Sequence, residues 1–162
     1  TLDGTGSGAV TSDPTGIDCG ADCAETLAYG TVVTLTAAAD TGSTFSGWVG
    51  ACTATGTSPT ENCVVTITNA TNVIATFTLN QYALSVTLNG TGSGMVTSDP
   101  AGIDCGVDCA ETLAHRTVVT LTAFADTDAT FTGWNGACTG TGACVVTMDA
   151  AKSVTGTASW RE

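Results

Sequence analysis

The chain has 162 residues and a formal charge of −12, with 15 Asp plus Glu against 3 Lys plus Arg and a single His. Charged residues make up only 11%, so the acidity comes from missing bases, and the clustered cations that nucleic acid or an anionic membrane surface requires are absent. No apolar run approaches the roughly 18 residues a membrane-spanning helix needs, which argues against membrane insertion. Hydrophobic content of 43% with many Thr and Gly favours packed strands and tight turns. The chain opens directly at Thr1 in turn-rich sequence, so any export signal is expected upstream or already removed.

In chain order, the Gly-Thr-Gly-Ser-Gly run at 4–8 reads as a turn; no helix with a Lys follows it, so it is not a phosphate loop. Asp22–Ala28 is the only helix-like stretch and is very short. Thr31–Ala39 reads as a strand with Val33, Leu35 and Ala37 on one face and Thr34 and Thr36 on the other. Val64–Thr68 and Val73–Leu79 are further strands around a polar turn at Asn69–Asn72. The join Phe77–Tyr82 has no Gly or Pro and is expected to act as a restrained connection rather than a loose tether. Tyr82–Leu88, Met95–Ser98 and Thr117–Ala125 are the later strands, with a Gly-rich turn at Asn89–Gly94.

Many of these elements occur twice. Residues 2–52 match residues 88–138 at an offset of 86, with 40 identities in 51 positions. The offset then falls to 81, because ten residues separate Cys52 from Cys63 and five separate Cys138 from Cys144. The chain is therefore a tandem pair, residues 1–79 and 80–162, of small mainly-β units. The first copy lacks the segment matching Gln81–Val86, as expected for a piece of a longer array.

Eight cysteines in 16.0 kDa, four per unit, suggest an oxidising compartment. Zinc is the competing use, but the first pair in each unit is C-x3-C rather than the common C-x2-C knuckle, and the wider spacing differs between copies. The simplest pairing is local: Cys19–Cys23, Cys52–Cys63, Cys105–Cys109 and Cys138–Cys144. Each bridge is expected to contribute about 2–3 kcal/mol to a unit with a small core.

Thr44-Phe-Ser-Gly-Trp48 and Thr130-Phe-Thr-Gly-Trp134, the first followed by Val73-Ile-Ala-Thr-Phe77, resemble bacterial repeat domains related to the internalin B-repeat. That family typically carries a "TFxGW" turn and a closing "VTAxF" strand. The second copy departs at its end, where Val154-Thr-Gly-Thr-Ala158 lacks the final Phe and Trp160 follows. The resemblance implies a small β-grasp-like or β-sandwich unit with little or no helix, used in tandem on secreted or cell-surface bacterial proteins, no catalytic residues, and neighbouring units of the same chain as partners.

Three sets of side chains are candidates for binding. Trp48 and Trp134 are either core residues or platforms for a sugar ring, which would make polysaccharide a partner. Asp13, Asp18 and Asp22, repeated as Asp99, Asp104 and Asp108, are either turn formers or calcium ligands; no other cofactor is suggested. Thr34/Thr36, Thr66/Thr68, Thr76/Thr78 and Thr120/Thr122 present hydroxyl rows of the kind that meet ice or polysaccharide, although strand propensity alone produces that alternation. Catalysis has little support: His115 stands where the first copy has Tyr29 and belongs to no repeated site. The leading expectation is a non-enzymatic extracellular spacer or adhesive stalk of a bacterial surface or secreted protein. The alternatives are a carbohydrate-binding pair attached to a secreted polysaccharide-degrading enzyme, and a calcium-dependent or ice-binding adhesin segment.

Overall fold

The computed structural model describes residues 1–52 and 62–161 and divides the chain into two units, Thr1–Asn80 and Gln81–Glu162. Every regular element among the described residues is a strand. The first unit contains β1 (Leu2–Gly4), β2 (Gly8–Asp13), β3 (Asp18–Cys19), β4 (Val32–Ala39), β5 (Ser43–Gly50), β6 (Cys63–Thr66) and β7 (Val73–Leu79). The second contains β8 (Gln81–Gly90), β9 (Gly94–Asp99), β10 (Asp104–Cys105), β11 (Ala110–Ala114), β12 (Val118–Ala125), β13 (Ala129–Gly136), β14 (Cys144–Thr147) and β15 (Lys152–Trp160).

Each unit is a sandwich of two sheets. In the second, the order β10-β9-β12-β14 faces the order β11-β8-β15-β13; in the first, β3-β2-β4-β6 faces β1-β7-β5. The alternation visible in the sequence sets which residues lie between the sheets, since successive side chains on a strand point to opposite faces. Thus Val119 and Leu121 of β12 pack on Leu84 and Val86 of β8 and Val154 of β15, while Val33 and Leu35 pack with Phe45 and Phe77. Most pairings are antiparallel, but β8 runs parallel to β15, and β1 runs parallel to β7. Gly4 and Gly90 lie at this parallel seam with φ of 102° and 101°, and a side chain on either would overlap the carbonyl of Phe77 or Ala158.

Two local readings change. The Thr-Phe-x-Gly-Trp motif is not a turn: it lies within β5 and β13, each carrying a bulge, between Phe45 and Gly47 and between Phe131 and Gly133. In a regular strand, residues three apart face opposite ways. The extra bulge residue restores the parity, so Phe45 meets Trp48 with centroids 5.1 Å apart, and Phe131 meets Trp134 at 4.8 Å. The other change concerns Asp22–Ala28. It is not helical, and its counterpart Ala110–Ala114 is β11, paired antiparallel with Gln81–Ser85 of β8. In the first unit Ala24–Ala28 forms no strand. A local helical signal of a few residues cannot compete with a ladder supplied from elsewhere in the chain.

Candidate interaction sites

The two units share a sequence but differ in how they are filled. In the second, β8 lies between β11 and β15 in the middle of its sheet, with Leu84 (0% exposed) and Val86 in the core. Val86 N–H donates to the Cys109 carbonyl at 2.8 Å, tying β8 to the disulfide loop. In the first unit β1 (Leu2–Gly4) corresponds to Leu88–Gly90, and an open groove of about 360 Å³ lies beside Thr1 and Val73. Leu27, Val33, Trp48, Val65 and Ile67 make its apolar floor, and Glu25 and Asn72 lie on its rim. A second hollow bounded by Glu25, Leu27, Tyr29 and Ile67 adjoins it through these shared residues. Tyr29 is 83% exposed, whereas its counterpart His115 rests edge-on against Tyr82 of β8, with centroids 6.1 Å apart. Ile67 is half-buried, while its counterpart Met148 is fully buried.

The aromatic residues also differ. Phe45 is buried in the first unit and touches Phe77, while Trp48 is half-buried and lines the groove. In the second unit Phe131 is half-buried and Trp134 is only 5% exposed. Trp134 Nε1–H donates to Gly142 O at 2.7 Å, and its backbone N–H donates to Gly140 O at 2.8 Å. The corresponding loop of the first unit, 53–61, lies outside the described residues. A pocket of about 230 Å³ opens beside Phe131, Gly94 and Ala158, where the first unit has the ring of Phe77 beside Gly8. Trp160 does not fill it, being exposed at the end of β15.

The candidate calcium ligands form exposed turns. Asp13 ends β2 and Asp99 ends β9, each followed by a cis proline. Asp18 and Asp22 form an isolated backbone bridge, as do Asp104 and Asp108. Asp22 and Asp108 each accept the N–H two residues ahead, Ala24 or Ala110, at 3.2 Å, the hydrogen bond of an Asx turn. Among the described residues, no three His, Cys, Asp or Glu side chains are grouped closely enough to hold a metal ion. In the second unit Lys152 pairs with Asp149 at 2.6 Å, and this hydrogen bond and the adjacent charge hold the Asp149 carboxyl below its ordinary range. His115 is half-buried, and among the described residues neither of its ring nitrogens has a hydrogen-bond partner.

All eight cysteines are paired locally: Cys19–Cys23, Cys52–Cys63, Cys105–Cys109 and Cys138–Cys144. Cys19, Cys63, Cys105 and Cys144 are buried, so each bridge ties a loop cysteine to the sandwich interior.

Among solved structures, the chain is similar to the major pilin protein from Streptococcus pyogenes, at 13% identity and a TM-score of 0.41, covering 80% of this chain and 66% of that one. The chain thus spans just under two thirds of that protein's length. No curated protein matches. The family described as a divergent InlB B-repeat domain matches residues 1–81 and again residues 84–162. The chain is a tandem pair of repeats of that divergent InlB B-repeat family.

Proposed function

We propose that this chain is a non-catalytic structural module of a bacterial surface or secreted protein, serving as a spacer or adhesive stalk. The observation that carries this reading is the use of the eight cysteines, four to a unit, to staple two sandwiches of about 80 residues, a size at which a β core alone is marginal. Such stapling suits an oxidising exterior, and membership of the repeat family supports the same location. A stalk also has to persist unfolded-state losses outside the cell, where cross-links that restrict the unfolded chain are most useful. Dyes attached at the two ends test the spacer role by single-molecule energy transfer. A narrow distance distribution is expected, and one as broad as a flexible linker's would sink it.

Carbohydrate binding is the second reading, favoured by Trp48, which lines an open groove with Glu25, Thr71 and Asn72 as polar neighbours. Retention on a panel of insoluble polysaccharides, with and without Ca²⁺, separates the two. Retention that Trp48→Ala abolishes establishes the sugar binder, and no retention on any glycan leaves the stalk.

A further inference from the structure

One end of the second sandwich lacks a ring that the first unit holds. In the first unit the buried Phe77 ring lies between Gly8 and Phe45. A Cβ on Gly8 would stand 2.3 Å from its Cε1, and its centroid is 5.4 Å from that of Phe45. The second unit keeps this frame as Gly94 and Phe131 but has Ala158 in place of Phe77, and a pocket of about 230 Å³ opens there. Residues 2–52 and 88–138 differ at only eleven positions, and three of these, Asn89, Met95 and Phe124, line the pocket. Asn89 stands where the first unit has Asp3, so every lining residue is uncharged. Met95 and Phe124 replace alanines, are register partners across β9 and β12, and add exposed apolar surface beside the pocket. We propose that this pocket is a binding site for a small, uncharged molecule built on a single aromatic ring.

Size and polarity select that ligand. The equivalent space in the first unit already accommodates a six-membered ring, the Phe77 side chain, and a dry apolar cavity of about 150 Å³ is enough to bind benzene. The larger volume here leaves room for a short substituent. An unfilled apolar hollow forfeits the dispersion contacts of its lining, and a ring laid against Phe131 recovers them. A charged ligand would give up hydration with no counter-charge among the lining residues. The main chain around the pocket disfavours a peptide as the guest. Gly94 pairs with Ala125 and Gly90 with Ala158, while Gly92 N–H donates to Ala158 O and Asp126 N–H to Ser93 O, each at 3.0 Å. With those groups engaged, no strand edge is open there to hold a peptide backbone, so the site takes a free molecule.

Titration of the chain with fluorobenzene, followed by backbone amide chemical shifts, reads the site directly. Saturable shifts are expected at Gly94, Phe131 and Ala158, with a Kd of about 1 mM or tighter. Gly8, Phe45 and Phe77 are expected to stay unshifted, because their ring is already in place. Ala158→Phe is expected to abolish the shifts. Ala158→Leu, which adds less bulk, is expected to weaken binding by about tenfold and keeps the test in force if the phenylalanine variant does not fold. No shift at Gly94 and Ala158 up to about 10 mM fluorobenzene, or shifts that both variants retain, overturns the proposal. Benzoate and N-acetylphenylalanine amide test the ligand class. Weaker binding of both supports an uncharged free molecule, whereas benzoate binding as tightly as fluorobenzene, or the amide binding more tightly, overturns that assignment.

Discussion

The indole of Trp134 lies against Gly156, and a Cβ on that glycine would stand 3.0 Å from the ring's Cζ3. The first unit has Ala75 at the matching position, and there the tryptophan is only half-buried. One methyl group on the neighbouring strand therefore accompanies the difference in how deeply the two tryptophans sit. Gly156→Ala is expected to push Trp134 toward solvent, red-shift its emission and cost about 1–3 kcal/mol through overpacking. An unchanged emission spectrum would show that the ring can slide within the core.

The pocket beside Ala158 can be filled. Ala158→Phe recreates the Phe77 ring, which packs on Phe45 with centroids 5.4 Å apart, and is expected to stabilise the second unit by about 1–2 kcal/mol. Met95 and Phe124 stand where the first unit has Ala9 and Ala38, and both are substantially exposed. A lower melting temperature in the variant would mean that these larger residues leave no room for the added ring.

Arg116 has a φ of 67°, where the first unit has Gly30 at 84°. Both N–H groups make the same bond, to Met148 O and Ile67 O, each at 2.8 Å. The left-handed conformation is unfavourable for a residue with a Cβ, so Arg116→Gly is expected to raise stability by about 1 kcal/mol. Denaturant unfolding of the variant measures this directly.

Removing the Cys105–Cys109 bridge as a double alanine variant is expected to cost about 2–3 kcal/mol. Cys105 is fully buried, so the variant also loses core packing. Thermal melts before and after reduction of the native chain bracket the effect. A melting temperature that reduction leaves unchanged would count against the stapled-module reading.

The Asp turns make a calcium prediction. With Asp22 and Asp108 engaged in Asx turns, Asp22→Ala is expected to cost about 0.5–1 kcal/mol with or without Ca²⁺. A chelator is expected to leave the melting temperature where it was. A rise with added Ca²⁺ that Asp22→Ala removes would make these loops a cation site.

Much of the fold was legible in the residues. The alternation of Val33, Leu35 and their counterparts places them inside, and it survives because the period of a strand is a local property. The local cysteine pairs were also legible, since close spacing limits which bridges form easily. The bulge in the Thr-Phe-x-Gly-Trp motif stands where the family resemblance implies a turn; Gly after a polar residue suits either one, and the partner strand decides between them. Ala110–Ala114 was missed as a strand for a related reason: its ladder comes from Gln81–Ser85, more than 20 residues earlier.

By itself the sequence determined two mainly-β copies, their apolar faces and their local bridges, because these depend on neighbours along the chain and on near-identity between copies. Only the tertiary structure decided which tryptophan is enclosed and which aromatic is uncovered, since Gly156 and Ala158 act across the sheet from β15.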